Sequence, residues 1–157
     1  MKHYYFAYGS NMNAERVEQR KMAFDHYEGA VISGFRFAFN KKSVKFPGSA
    51  SANVVLDAAS EVEGVVYHLT DEKQILMMDP FEGYPTRYDR QLVPAVTKSG
   101  VINVWVYIAN PEHIEEGLRP NLWYLNHLLA GKVFLSDSYY ATLSSTKCLP
   151  QSEVEPE

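Results

Sequence analysis

His3-Tyr4-Tyr5-Phe6-Ala7-Tyr8 runs without interruption into Gly9-Ser10-Asn11. Aromatic, β-prone side chains in an unbroken run read as a buried strand, and a glycine followed by two small polar residues ends it in a tight turn. Ala14-Glu15-Arg16-Val17-Glu18-Gln19-Arg20 comes next, mostly good helix formers, with Asn11 or Asn13 as the expected N-cap. The chain therefore opens as strand, turn and helix N-terminus. Such a unit brings free N–H groups and a favourable dipole towards an anion, and a glycine lets a ligand approach the backbone. On its own, Tyr8-Gly9-Ser10-Asn11 reads as a structural turn with an N-cap.

Outward from this unit the pattern stays strand-rich. Residues 30–39 alternate through Val31, Phe35, Phe37 and Phe39, a strand entered near Gly34, and Asn40-Lys41-Lys42-Ser43 with Lys45 reads as a solvated loop rather than a phosphate patch. Residues 53–56 and 62–69 predict two further strands, with Asp57-Ala58-Ala59-Ser60 as the hairpin between them. Thr70 is the expected cap of a short helix carrying Ile75, Leu76 and Met78, which Pro80 is expected to end. Residues 88–96 and 101–108 predict a strand pair around Lys98-Ser99-Gly100. Leucines 122, 125, 128 and 129 then mark an amphipathic helix over 120–130, with Gly131 as its C-cap and a second short helix from Asp137 to about Leu143. About six strands, mostly joined by short turns, with two or three helices, predict an α+β domain whose mixed sheet closes on itself. That domain is expected to span residues 1–146, with 147–157 a mobile acidic tail.

Composition narrows the function classes. Of the 157 residues, 46% are hydrophobic and 22% charged, so the chain is globular rather than disordered. Fifteen basic against nineteen acidic side chains leave a net charge of −4, which argues against nucleic acid or an anionic membrane as partner. No run is long enough to span a bilayer, no signal peptide is legible, and the single cysteine, Cys148, fits a reducing compartment. A soluble cytoplasmic protein is expected.

The chemistry-bearing residues are few. The five histidines lack the local spacing of a metal site, and Cys148 cannot anchor a thiolate set, so no metal and no cofactor are expected. Ser10 lacks the second glycine of a nucleophile elbow, Cys148 lacks activating neighbours, and no glycine-rich phosphate loop is present. Glu82 stands apart: Phe81, Tyr84 and Tyr88 surround it in sequence, and Gly83 opens space beside it. A carboxyl in apolar company has a raised pKa, which suits acid/base work.

Tyr8-Gly9-Ser10-Asn11 after the first strand, Gly64-Val65-Val66-Tyr67 before a short helix, and Glu82-Gly83 followed by Tyr88 and Arg90 together resemble the gamma-glutamylcyclotransferase family, over roughly residues 4–145. The resemblance implies a small β-barrel flanked by helices with a pocket at one mouth. It implies that Glu82 is the acid/base, that Tyr8, Gly9, Ser10 and Asn11 form the substrate-holding loop, and that Tyr88 and Tyr107 are pocket tyrosines. The reaction implied is an acyl transfer of lyase type, akin to glutathione metabolism. The substrate's own α-amine attacks its γ-carbonyl, releasing 5-oxoproline and an amino acid or amine. The partner implied is a small γ-glutamyl compound, and the chain a monomer or homodimer. The alternatives are γ-glutamylamines or a γ-glutamylated metabolite as substrate, or a non-catalytic binding module on the same fold. Two departures stand out. Phe134-Leu135-Ser136 occupies the place of a Gly-Leu-Pro turn in the animal enzymes, and Asn11 stands where the glutathione-specific branch usually has leucine.

Overall fold

A computed structural model describes residues 2–156; Met1 and Glu157, the outer ends of the expected domain and tail, lie outside the described residues. Strands β1 (His3–Ala7), β2 (Phe24–Lys42), β3 (Ala50–Leu69), β4 (Tyr88–Thr97) and β5 (Gly100–Ala109) close a barrel in the order β1-β3-β2-β4-β5. All neighbours are antiparallel except β1 and β5, which meet in parallel through Tyr5 and Trp105, so the sheet is mixed as expected. Four helices flank it: α1 (Ala14–Gln19), α2 (Gln74–Glu82), α3 (Leu122–Leu129) and α4 (Asp137–Ser144). Among the described residues none is long and apolar enough to cross a membrane.

The barrel has five strands rather than about six because β3 is one strand where two were expected. Residues on both sides of Asp57–Ser60 pair with β2: Phe35 faces Leu56 and Ser33 faces Glu61. The turn chemistry is real, since Asp57 accepts hydrogen bonds from the Ala59 N–H at 3.1 Å and the Ser60 hydroxyl at 2.8 Å. It bulges four residues out opposite Gly34 instead of reversing the chain. Likewise β2 begins at Phe24 and runs on through Lys42. Asn40 and Lys41 are buried, so the expected solvated break is an inward-facing strand end.

Pro80 does not end α2; it sits inside it, and Asp79 is helical. In so short a helix the proline removes one hydrogen bond, and termination falls to Gly83, whose φ of +71° is the left-handed cap. Thr70 does not cap the helix: the N-cap is Lys73, without a side-chain cap bond, and Asp71 accepts from the Lys73 N–H at 2.8 Å in the turn before it. α3 closes at Ala130, one residue before the expected Gly131.

The buried core forms two clusters, one in the barrel, where Phe6, Ile32, Val54, Val62, Val66, Val104 and Val106 pack, and one beneath the helices, where Tyr67, Met78, Leu125 and Leu128 pack. The end expected to be a mobile tail is docked as far as Glu155. Buried Ser152 accepts the Leu122 N–H on its hydroxyl and the Trp123 N–H on its carbonyl, each at 2.9 Å, thereby capping α3.

Candidate functional site

At the barrel mouth formed by the end of β1, the 43–52 region, the end of α2 and the start of β4 lies a cavity of about 370 Å³. It takes in Glu82, Tyr8, Gly9, Ser10, Asn11, Tyr88 and Tyr107, so every expected site residue lines one space. Its volume suits a small molecule.

Asn11 organises the centre. It lies in a one-turn 3-10 segment, Ser10–Met12, closed by the Met12 N–H on the Gly9 carbonyl at 3.0 Å. The N–H groups of Ser10 and Asn11 precede that bond and have no acceptor within the turn. The N-cap of α1 is Asn13, which leaves the Asn11 side chain free for the cavity. Its amide donates to the Tyr5 hydroxyl at 2.9 Å and, at 3.4 Å, to Glu82 Oε1; its oxygen accepts from Arg20 at 3.2 Å. Tyr67 donates to its backbone carbonyl at 2.6 Å. Gly9 is glycine for a reason internal to the protein: a Cβ there would stand 3.0 Å from the Ala52 Cβ and 3.4 Å from the Tyr124 hydroxyl.

Glu82 closes α2 and is held there from one turn back. Asp79, three residues earlier on the same face, is buried and receives Arg90 through two bonds, at 2.9 and 3.1 Å, and the Tyr107 hydroxyl at 2.7 Å. Arg90 is sandwiched between the rings of Tyr84 and Trp105, 4.5 and 4.4 Å away. The helix end is thus fastened to β4 and β5. Burial raises the Glu82 carboxyl above the usual carboxylate range, against Arg20, Lys41, Arg16 and Arg87, which pull it down. The expected apolar surroundings are therefore only part of the account. Phe81 is exposed and lies beneath Arg20, and the charged neighbours of Glu82 are cations.

The tyrosines divide in a way the sequence did not indicate. Tyr8 donates to the Tyr107 carbonyl and Tyr88 to the Ala52 carbonyl, each at 2.6 Å, while Tyr107 donates to Asp79. These three present rings to the cavity, but their hydroxyl hydrogens are engaged by the protein. Tyr5 and Tyr124 do the opposite: each hydroxyl accepts one bond, from Asn11 and from the Ala52 N–H, and donates to no other described residue. Both line the cavity and were missed.

Also missed were the cations. Arg16, Arg20, Lys41, Lys45 and Arg87 line the cavity against two carboxylates, Glu82 and Glu155, in a molecule of net charge −4. Lys41 is 4% exposed, its ammonium 5.3 Å from the Tyr88 ring, and burial and Arg87 lower its pKa to about 8. The buried Nε of Arg16 has no hydrogen-bond partner among the described residues. No local signal gave Lys41, because a register shift between Ala38 and Lys41 interrupts the alternation before it and buries both Asn40 and Lys41. Glu155 bonds Arg16 at 3.2 Å and lies 2.6 Å from His127, so the docked C-terminal segment forms part of the rim. Phe134-Leu135-Ser136 is not on the cavity; the Phe134 backbone packs against Gly29, its ring against Tyr27, and Ser136 bonds Glu63. No histidine or cysteine is among the described residues lining the cavity. Cys148 is set apart, its thiol pushed up by burial.

Such a cavity can bind a small polyanion, fold it against a proton-accepting carboxyl, and offer hydroxyl and N–H donors to developing negative charge. No curated protein matches the chain by sequence. Among solved structures, a gamma-glutamyl cyclotransferase superposes with a TM-score of 0.84 at 23% identity, covering 100% of this chain and 95% of that one. An uncharacterized human protein reaches 0.85 at 22% identity, covering 99% and 94%. A glutathione-specific gamma-glutamyl cyclotransferase from yeast reaches 0.67 at 16% identity, covering 90% and 93%. These likenesses give the fold. The model of the family described as gamma-glutamyl cyclotransferase, AIG2-like, matches residues 5–125, most of the length, and the chain belongs to that family.

Proposed function

We propose that the protein cyclises γ-glutamyl amides, releasing 5-oxoproline, and that its preferred substrates are γ-glutamyl amino acids. The observation that carries the reading is the placement of Glu82, hydrogen-bonded to Asn11, in a cavity lined by five cations. The substrate's α-ammonium gives a proton to Glu82; the freed amine attacks the γ-carbonyl, forming the ring C–N bond. The amide C–N bond breaks as Glu82 gives that proton to the leaving nitrogen, and the extra proton still on the ring nitrogen then passes through the Glu82 carboxylate to the released amine. The nucleophile belongs to the substrate, so the protein's work is to hold a near-attack geometry, where effective molarities are large. Tyr5, Tyr124 and the Ser10 and Asn11 N–H groups are the donors available to the oxyanion. The excess of cations favours a substrate with a carboxylate at each end over a γ-glutamylamine, which has one.

The test is 5-oxoproline release from γ-glutamyl amino acids, glutathione and γ-glutamylamines assayed side by side. Higher kcat/KM on the amino-acid conjugates is expected. Preference for the amines would overturn the substrate class. No release from any of them, with 5-oxoproline still bound, would replace the enzyme by a binding module.

A further inference from the structure

On the half of the β2–β3 hairpin away from the 43–49 turn, His26 and Glu28 project from the same face of β2, and His68, the cross-strand partner of His26, joins them from β3. One ligand atom from each lies within 4.8 Å of the other two. His68 Nε2 is 2.6 Å from Glu28 Oε2, and His26 Nε2 is 3.7 Å from that same oxygen. A hydrogen bond accounts for His68, whereas His26, at 3.7 Å, turns towards the same carboxylate without a hydrogen bond to it. The imidazoles lie face against edge, centroids 4.6 Å apart, and the Tyr4 ring packs against His68 at 4.9 Å, fixing its plane.

We propose that His26, Glu28 and His68 form a binding site for a divalent first-row transition-metal ion of the zinc class. Two imidazole nitrogens and one carboxylate oxygen are a ligand set such ions take, with the remaining positions left to water. Ligand bonds of about 2.0–2.1 Å in a tetrahedron set the donors roughly 3.4 Å apart. The spacings here bracket that value, and His26, with its side chain 61% exposed, is free to close the remainder by rotating. Sequence spacing concealed the set, because His68 reaches the other two only through strand pairing. None of the three lines the cavity, so the proposal stands apart from the cyclotransferase reading.

The experiment uses the untagged full chain, stripped with chelator, titrated with Zn²⁺ by calorimetry and with Co²⁺ by visible absorption. One equivalent is expected to bind, and Co²⁺ is expected to give the intense d–d bands of a low-coordinate site. His26→Ala, at an exposed position, and His68→Ala each weaken binding by more than the roughly 10–100-fold that loss of an outer-shell partner costs. His113→Ala, on a separate short turn, leaves it unchanged. No binding by the parent chain, equal affinity in His26→Ala, or an equal loss in His113→Ala would overturn the site.

Discussion

Glu82 and Lys41 face the same cavity with opposite charges, and burial disfavours the charged form of both. For Glu82 the consequence is catalytic. Glu82→Gln keeps the shape and removes the proton acceptor, so kcat should fall by roughly 10²–10⁴-fold in a protein with an unchanged circular dichroism spectrum. Near-parental turnover would remove Glu82 from the mechanism. For Lys41 the consequence is binding. Below about pH 8 it is charged and, under the proposed function, available to a substrate carboxylate; above that value it is neutral. A protonated Glu82 cannot accept a proton, so activity should rise with pH through its raised pKa, giving an ascending limb. Lys41 adds a descending limb in kcat/KM above about pH 8. Lys41→Met should abolish that limb and raise KM about 10- to 100-fold, equivalent to a charged hydrogen bond of roughly 1.5–3 kcal/mol. Its melting temperature should not fall, since a buried cation is removed and no described residue loses a hydrogen bond or ion pair with it. A KM within twofold of the parent, measured at pH 7, would show that Lys41 does not touch the substrate.

α2 illustrates how much of an element's role is hidden from its own residues. Its existence and its glutamate were legible; its fastening was not. Asp79 reads as an ordinary surface acid beside a proline until β4 and β5 bring Arg90 and Tyr107 to it from 11 and 28 residues away in the chain. Asp79→Asn leaves the half-buried Arg90 without its counterion and should cost about 1.5–3 kcal/mol in chemical denaturation. Because Glu82 rides on that helix, kcat should fall while KM for 5-oxoproline-forming substrates changes less. Unchanged stability would mean that α2 is held by its apolar face alone. The strands teach the same lesson. Hydrophobic alternation located β4 and β5 within a residue or two, because both ends carry turn signals. It failed at Asp57–Ser60, where a bulge and a hairpin share the same local chemistry and only the partner strand decides between them. It failed again at Ser152, whose hydroxyl caps α3 from 30 residues away.

At the scale of the whole molecule, the loop at Tyr8–Asn11, the acid Glu82 and the barrel were readable because each leaves a local trace: a turn, a carboxyl among aromatics, alternating strands. The cation ring was not readable, since Arg16, Arg20, Lys41 and Arg87 come from three separate segments and share no spacing. With Glu82 as proton carrier and those cations as binding groups, turnover should persist in EDTA even as any ion held by His26, Glu28 and His68 is stripped away. Loss of activity in EDTA, restored by zinc or magnesium, would show that the proton-transfer scheme is incomplete. The barrel's closing seam has its own consequence. β1 pairs with β3 on one side and, through Tyr5 and Trp105, with β5 on the other. As the chain leaves the ribosome, the aromatic first strand can find its antiparallel neighbour once residue 69 has emerged, but its second edge stays unclaimed until after residue 105. An apolar strand made first and sealed last spends most of synthesis with one edge bare, and in that interval the nascent protein offers other chains a template for pairing.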